Sequence, residues 1–275
     1  MGTLFLVATP IGNLEDISRR ALRTLREAAL IAAEDTRLTR KLLSHYDIHT
    51  PLVSYFEHNK LSRLDHILGK LSEGDVALVS DAGTPALNDP GYELVRAAVQ
   101  AGHRVSAVPG PAAPIAALVS SGLPTDAFLF MGYLPRKRPD RRAALERVAD
   151  LPYTLLFLET PHRLRESLVD LRDVLGNRQA ALARELTKLH EEVWRGTLEV
   201  AAEHFQNPRG EFVLVIHGME SPPNARWSAE DVQKAIDKKL AAGEPLAKAA
   251  ATLTEKSGWA RRDIYRLVAK QARVR

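Results

Sequence analysis

Cysteine is absent from the 275 residues, which excludes disulfides, a thiol nucleophile, cysteine-ligated zinc and iron–sulfur clusters. Any chemistry falls to carboxylates, hydroxyls, amines, imidazoles or a bound cofactor. Long apolar runs are also missing: none approaches the roughly 20 residues that span a bilayer. The start, Met1-Gly2-Thr3-Leu4, lacks the basic region of a signal peptide. The expectation is a soluble, cytoplasmic protein without a membrane partner. The phosphate-binding patterns G-x-x-x-x-G-K-[ST] and G-x-G-x-x-G do not occur, so neither a Walker-type nucleotidase nor the usual dinucleotide enzyme is supported. His190-Glu191-Glu192-Val193-Trp194 begins like H-E-x-x-H but has Trp in place of the second ligand. The nine histidines are scattered, with only His45 and His49 beside Asp47 at a metal-like spacing, and no metal is expected.

What is present is unevenly distributed. The net charge is +4, from 38 Lys and Arg against 34 Asp and Glu. From Asn224 to Arg275 there are 12 basic and 6 acidic residues, leaving 26 basic and 28 acidic in the rest. A nearly neutral body therefore carries a basic tail. Segregated positive charge suits a polyanion, because each neutralised phosphate releases a condensed counterion; a solvated helical face gives the same count.

Up to about His217, strand-length apolar runs alternate with helix-period segments, the pattern of an α/β sheet. Leu4–Ala8, Ala29–Ala33, Val76–Val79 and Arg104–Val108 read as strands. One helix is expected over Leu14–Ala28 and another from Asn59 or Lys60 to Leu71. After Gly122-Leu123-Pro124 a second set follows. Its strands are Phe128–Met131, Thr154–Leu158, Ala180–Ala183 and Phe212–Ile216, with a short antiparallel strand at Val193–Leu198 and helices at Arg141–Val148 and Arg163–Leu175. Ser221-Pro222-Pro223-Asn224 reads as a boundary, since proline removes backbone donors and resists helix. Beyond it Ser228 caps a helix to Ala241, and two more helices follow the turns Gly243-Glu244-Pro245 and Ser257-Gly258-Trp259. The reading is two α/β domains, residues 1–122 and 123–222, and a small C-terminal helical module of helix-turn-helix type, residues 223–275.

Three Gly/Pro-rich loops come directly after strands: Thr9-Pro10-Ile11-Gly12-Asn13, Ser80-Asp81-Ala82-Gly83-Thr84-Pro85 and Pro109-Gly110-Pro111. In open α/β sheets ligands bind beyond the carboxyl ends of the strands, where loop backbone faces a crevice. Glycine lets the backbone approach a ligand and proline fixes its path. Three such loops on one sheet point to a small-molecule site.

These loops, with Ala33-Glu34-Asp35-Thr36-Arg37 and Leu158-Glu159-Thr160-Pro161-His162-Arg163, closely resemble the tetrapyrrole-methylase superfamily, in particular its branch acting on small-subunit ribosomal RNA. The likeness runs in order over nearly the whole chain. It implies two α/β domains with S-adenosylmethionine in the cleft between them, a homodimer, and methylation of the ribose 2′-hydroxyl of a cytidine in the decoding region of 16S ribosomal RNA. Gly83-Thr84-Pro85 stands where the superfamily commonly has Gly-Asp-Pro, so no role given to that aspartate carries over. Pro10, Ser80, Asp81, Gly83, Thr84, Leu87 and Ala112 are the implied cofactor contacts, with Ile115 as a further apolar wall.

The hydroxyl must lose a proton, and the candidates are the strand-end carboxylates Glu34, Asp35 and Glu159, with Arg184-Glu185 and Lys188 from the second domain; Glu34 and Glu159 are favoured as near the reacting centre. Glu34 and Asp35 can equally cap the helix from Thr36, with Arg37 as partner. Glu159 can cap the helix from Arg163. RNA contacts are expected from Arg136, Lys137, Arg138 and Arg141, in a mobile loop beside Tyr133, and from Arg261 and Arg262 in the tail. Other readings are a precorrin-type tetrapyrrole C-methyltransferase and a non-catalytic RNA-binding protein on a methylase scaffold; neither basic segment serves a macrocycle.

Overall fold

A parallel sheet covered on both faces calls for short strands with no polar side, and the apolar runs of the first half supply them. In the computed structural model, which describes residues 2–219 and 227–272, they form β1 (Thr3–Val7), β2 (Leu30–Ala33), β3 (Leu52–Ser54), β4 (Val76–Val79) and β5 (Arg104–Val108). All pairings are parallel, in the order β3-β2-β4-β1-β5. Helices α1 (Arg19–Glu27) and α2 (Thr36–His45) cover one face, packing Ala21, Leu25 and Leu43 against Ile31, Ala77 and Val108. Helices α3 (Lys60–Glu73) and α4 (Tyr92–Gln100) cover the other, with Ile67, Leu71, Leu94 and Ala98 on Leu4, Ala32 and Leu78. The helix expected over Leu14–Ala28 is interrupted. A 3₁₀ turn at Leu14–Asp16 ends, and Ser18 opens α1 by accepting the Ala21 N–H at 3.0 Å, which satisfies one of the orphan donors of the first turn.

Helix α5 (Ala113–Ser121) ends at Gly122, whose φ of 79° closes it in the left-handed region. The chain then builds β6 (Phe128–Tyr133), α6 (Arg138–Glu146), β7 (Thr154–Glu159), α7 (Pro161–Leu175), β8 (Gln179–Arg184), β9 (Glu192–Thr197), α8 (Leu198–His204) and β10 (Phe212–Ile216). These strands make a mixed sheet, β6-β7-β10-β8-β9, with only the β6–β7 pair parallel. Helices α6, α7 and α8 cover one face, where Leu145, Leu164, Leu168 and Ala201 meet Phe157 and Leu214. Helix α5 covers the other through Ala117 and Leu118 on Leu156, Ala183 and Val213. Both sheets belong to one compact unit, Met1–Gly218.

The second unit, Met219–Arg275, holds α9 (Ala229–Ala241), α10 (Leu246–Ser257) and α11 (Arg261–Ala272). Ser228 caps α9 by accepting the Asp231 N–H at 3.1 Å, with Glu230 and Asp231 against the positive end of the helix. Val232, Ile236, Ala249, Leu253 and Ile264 form its core. Gly258, at φ 66°, ends α10, and the residues to Ala260 make the short turn into α11 that a helix-turn-helix uses. The boundary read at Ser221–Asn224 lies outside the described residues. Among the described residues no helix is long and apolar enough to cross a membrane.

Candidate active site

The carboxyl ends of β1, β2, β4 and β5 converge on one cleft of about 290 Å³, and the α5-facing side of the second sheet closes it. Two of its loops are joined by backbone. Thr9 and Gly83 exchange N–H···O bonds of 2.9 and 3.0 Å, and Thr84 donates its hydroxyl to the Pro111 carbonyl at 3.0 Å. Gly83 has φ 78°, and a Cβ there would sit 3.3 Å from Ile11 Cγ2 and 3.7 Å from the Pro111 carbonyl oxygen, against the cleft wall. A side chain at that position is strained whatever the space.

Acidic groups gather on the first-sheet side. Glu34, Asp81 and Asp89 all line the cleft. Glu34 accepts the Asp81 N–H at 3.3 Å, and Asp81 in turn accepts the Asp35 N–H at 2.9 Å, so the ends of β2 and β4 clasp each other. Burial pushes the Glu34 carboxyl above its ordinary value; the hydrogen bond from Asp81 opposes this, and the neighbouring carboxylates Asp89, Asp81 and Asp35 reinforce it. Asp89 is raised for the same leading reason, burial, eased by a hydrogen bond with Ser80. Asp35 divides from Glu34 in role. It caps α2 through the Arg37 N–H at 2.8 Å and pairs with the Arg37 guanidinium at 2.7 Å, which holds its pKa at about 2.

On the opposite wall Lys188 lies between Glu185, at 3.0 Å, and Glu211, at 3.7 Å. Burial acts to lower its pKa, but the two carboxylates outweigh that and leave it above the ordinary lysine value. Lys188 is therefore a fixed cation near neutral pH, an electrostatic group and hydrogen-bond donor and not a base. Its loop is conformationally costly, with φ of 48° at Glu185 and 67° at Thr187, a condition that persists only where surroundings over-determine it. Those surroundings are visible: Thr187 Oγ1 accepts the Asn13 N–H at 3.0 Å, and a Cβ on Gly12 would lie 2.5 Å from Lys188 Cγ. The loop after β1 is thus fitted against the loop after β8, and only glycine allows that approach.

Of the residues read from sequence, Glu34, Glu185, Lys188, Asp81, Gly83, Thr84, Leu87 and Ala112 line the cleft, whereas Pro10, Ser80 and Ile115 do not. Ser80 is buried and holds the loop through its carbonyl, which accepts the Thr9 hydroxyl at 3.3 Å. Glu159 lies away from the cleft. It is 1% exposed and accepts from Thr160 N at 2.8 Å, Ser167 Oγ at 2.5 Å and Arg163 at 3.3 Å, tying the start of α7 to β7. Alternation explains this, since Leu158 faces the cleft and its neighbour must face the opposite side of the sheet. Asp89, Tyr133, Glu211 and the apolar Phe130, Leu158 and Val213 also line it; Asp89 stands in an irregular loop with no pattern to mark it.

The basic segment also differs from expectation. It is a short held connection: Arg163 donates to the Leu134 carbonyl at 2.5 Å, Arg141 donates to the Arg136 carbonyl at 3.2 Å, and α6 already begins at Arg138. Arg136 and Lys137 are exposed, but Arg141 is 1% exposed and turned inward onto Asp170 at 2.7 Å, so it does not reach outward for RNA. Arg138 shares the same carboxylate, at 2.9 Å. In the second unit Arg261 and Arg262 are exposed at the start of α11. Among the described residues no cluster of three or more His, Asp or Glu is arranged to hold a metal.

The family model described as Tetrapyrrole (Corrin/Porphyrin) Methylases matches residues 3–202, the span that holds the parallel sheet, the mixed sheet except β10, and most of the cleft between them; the chain belongs to that family. The fold is also that of uroporphyrin-III C-methyl transferase from Thermus thermophilus, solved in complex with S-adenyl homocysteine. That structure superposes with a TM-score of 0.54 at 22% identity, over 78% of this chain and 97% of that one. Within the family, the ribosomal RNA small subunit methyltransferase I of Halalkalibacterium halodurans is 47% identical over 272 residues, covering 97% of this chain and 94% of the relative. The protein of the same name from Pseudomonas aeruginosa is 48% identical over 270 residues, covering 96% and 95%.

Proposed function

We propose that this protein transfers the methyl group of S-adenosylmethionine to small-subunit ribosomal RNA, at the ribose 2′-hydroxyl of a cytidine in the decoding region. The observation that carries the reading is near-identity in length and almost half of the sequence with relatives named as ribosomal RNA small subunit methyltransferase I. The cleft suits the methyl donor, which is cationic. Glu34, Asp81 and Asp89 form an acidic wall, Ile11, Leu87, Phe130 and Val213 provide apolar surface, and the backbone at Gly83 leaves the space that a Cβ would fill. When bound, S-adenosylmethionine supplies an activated methyl group for in-line displacement by an oxygen nucleophile.

The chain's own contribution is position first and charge second. Holding the ribose oxygen about 3 to 3.5 Å from its target supplies much of the rate. Glu34, with its raised affinity for a proton, takes the proton of the hydroxyl. Lys188, held charged, donates to the oxygen as negative charge develops on it. Tyr133, 46% exposed at the cleft, offers an aromatic face on which the nucleotide base stacks. The working form is a cytoplasmic homodimer. Transfer of label from methyl-labelled cofactor to small ribosomal subunits tests the reading; label entering a tetrapyrrole instead, or no cofactor affinity in calorimetry, contradicts it.

The helical unit adds a phosphate grip through Arg261 and Arg262 on α11. Because every cleft residue lies within the first 218 residues, deleting residues 224–275 leaves cofactor affinity unchanged. The same deletion weakens binding to small subunits, and it lowers the slope of log affinity against log salt by about one for each phosphate no longer neutralised. Titration at several ionic strengths checks this, and an unchanged slope excludes the unit from RNA binding.

A further inference from the structure

A second concavity, of about 650 Å³, lies between α6, α7 and α8, away from the cleft. Its wall is one stripe of α7: His162, Arg165, Glu166 and Asp170 stand at i, i+3, i+4 and i+8, which share a helix face. The opposite stripe, Leu164, Leu168 and Leu171, is in the core. Helix α6 contributes Arg138 and Arg141, three residues apart.

The acids of this groove are already engaged. Asp170 meets Arg138 at 2.9 Å, Arg141 at 2.7 Å and Arg142 at 3.6 Å, and Glu166 lies 3.6 Å from Arg141. Asp173 is shared by Arg172 and Arg142, at 2.7 and 3.9 Å. Arg138 remains 63% exposed despite its bond. Arg165 is exposed, and among the described residues no carboxylate pairs with it. The lining holds Arg138, Arg141 and Arg165 against Glu166 and Asp170, one positive charge in excess, and the adjoining Arg136 and Lys137 extend it. The groove is cationic, and its surplus sits on side chains that reach solvent. Tyr133, at the cleft, is five residues from Arg138, so the two places are at most about 18 Å apart along an extended chain. Arg136 and Lys137 occupy the interval, both exposed.

We infer that this groove holds backbone phosphates of the RNA substrate beyond the reacting nucleotide, on a track from Tyr133 past Arg136 and Lys137 to Arg138, His162 and Arg165. The inference rests on the reading of RNA as substrate. A phosphate backbone matches the chemistry because its charges repeat along a flexible strand and need cations without base-specific donors. A small macrocycle occupying the cleft would meet Tyr133 there, whereas Arg138, His162 and Arg165 line the separate groove.

The test uses the full chain with Arg165→Ala, Arg165→Glu and Arg165→Lys, assayed for methyl transfer from labelled S-adenosylmethionine to small ribosomal subunits across a salt series. Arg165→Ala raises KM and lowers the slope of log(1/KM) against log salt by about one. Arg165→Glu raises KM further, and Arg165→Lys keeps the wild-type slope. In all three, kcat at saturating RNA, cofactor affinity by calorimetry and the melting temperature stay at wild-type values, because Arg165 lines neither the cleft nor the core. Wild-type KM and slope in both Arg165→Ala and Arg165→Glu overturn the groove while leaving the RNA reading standing. A wild-type protein that labels no RNA at any salt overturns both.

Discussion

Glu34→Gln lowers kcat for methyl transfer by about 10²- to 10⁴-fold, the usual contribution of a positioned general base, and weakens cofactor binding far less, because Asp81 and Asp89 keep the acidic wall. Glutamine keeps the shape at the end of β2 and the neighbourhood of Asp81 N, so the clasp between β2 and β4 has no reason to open. The pH dependence separates this from a positioning effect. Glu34 must be ionised to accept a proton, and burial together with Asp89, Asp81 and Asp35 raises its pKa. The acid limb of kcat/KM in the wild type therefore lies above the ordinary carboxylate range, and Glu34→Gln abolishes that limb. Stability gives a second check. A carboxyl whose folded pKa is raised favours the folded state while protonated and costs stability once pH passes the folded value. Glu34→Gln is consequently at least as stable as the wild type at neutral pH. A variant with wild-type turnover and an unchanged acid limb would remove Glu34 from the proton transfer.

Asp170→Ala lowers the unfolding free energy by about 3 to 5 kcal/mol, the cost of leaving a buried charge without its partner. The stranded charge is Arg141, 1% exposed, whose Nε and terminal nitrogen both bond Asp170, at 2.8 and 2.7 Å, and which keeps only the Arg136 carbonyl at 3.2 Å and the exposed Glu166 at 3.6 Å. Arg138→Ala costs far less, because its side chain is 63% exposed and Arg141 still holds the carboxylate. Urea denaturation of the pair of variants reads the difference as a shift in midpoint. For Asp170, burial raises the pKa, but the hydrogen bonds from Arg138 and Arg141 and the charge of Arg141 outweigh it, so the net shift is downward. Its contribution is complete above the ordinary aspartate value near 3.8 and is lost as pH falls through the lower folded value. Equal midpoints for Asp170→Ala and Arg138→Ala would mean that Arg141 finds water or another partner.

Where a segment is buried on both sides, its sequence states its structure. β1, β2, β4, β7 and β10 are legible because a parallel or central strand has no polar face to confuse with another element. β3 is three residues long and too short to carry a period. Helix α5 is apolar nearly throughout, so no stripe distinguishes it from the strand before it. The helix expected over Leu14–Ala28 has the right stripe but hides Ser18, whose side chain ends one segment and opens the next. The candidate site divides along similar lines. Gly83 and Thr84 follow from the rule that ligand loops sit at carboxyl ends of parallel strands. Glu159 was legible in principle, since Leu158 and Glu159 cannot face the same side of β7. Arg141 was not: a run of five basic residues gives no indication that one of them meets Asp170, 29 residues further on. Asp89 and Glu211 reach the cleft only through tertiary structure.

On the function proposed above, this acidic cleft methylates ribose in small-subunit ribosomal RNA. The most direct measurement incubates the protein with methyl-labelled S-adenosylmethionine and small ribosomal subunits lacking their own modifications, then digests the RNA and identifies the labelled nucleotide by mass spectrometry. The label is expected on the 2′-oxygen of a single cytidine in the decoding region, and it falls by at least about 100-fold when Glu34→Gln replaces the wild type over the same interval. Label on a base, or on ribose spread over many nucleotides, would contradict the account.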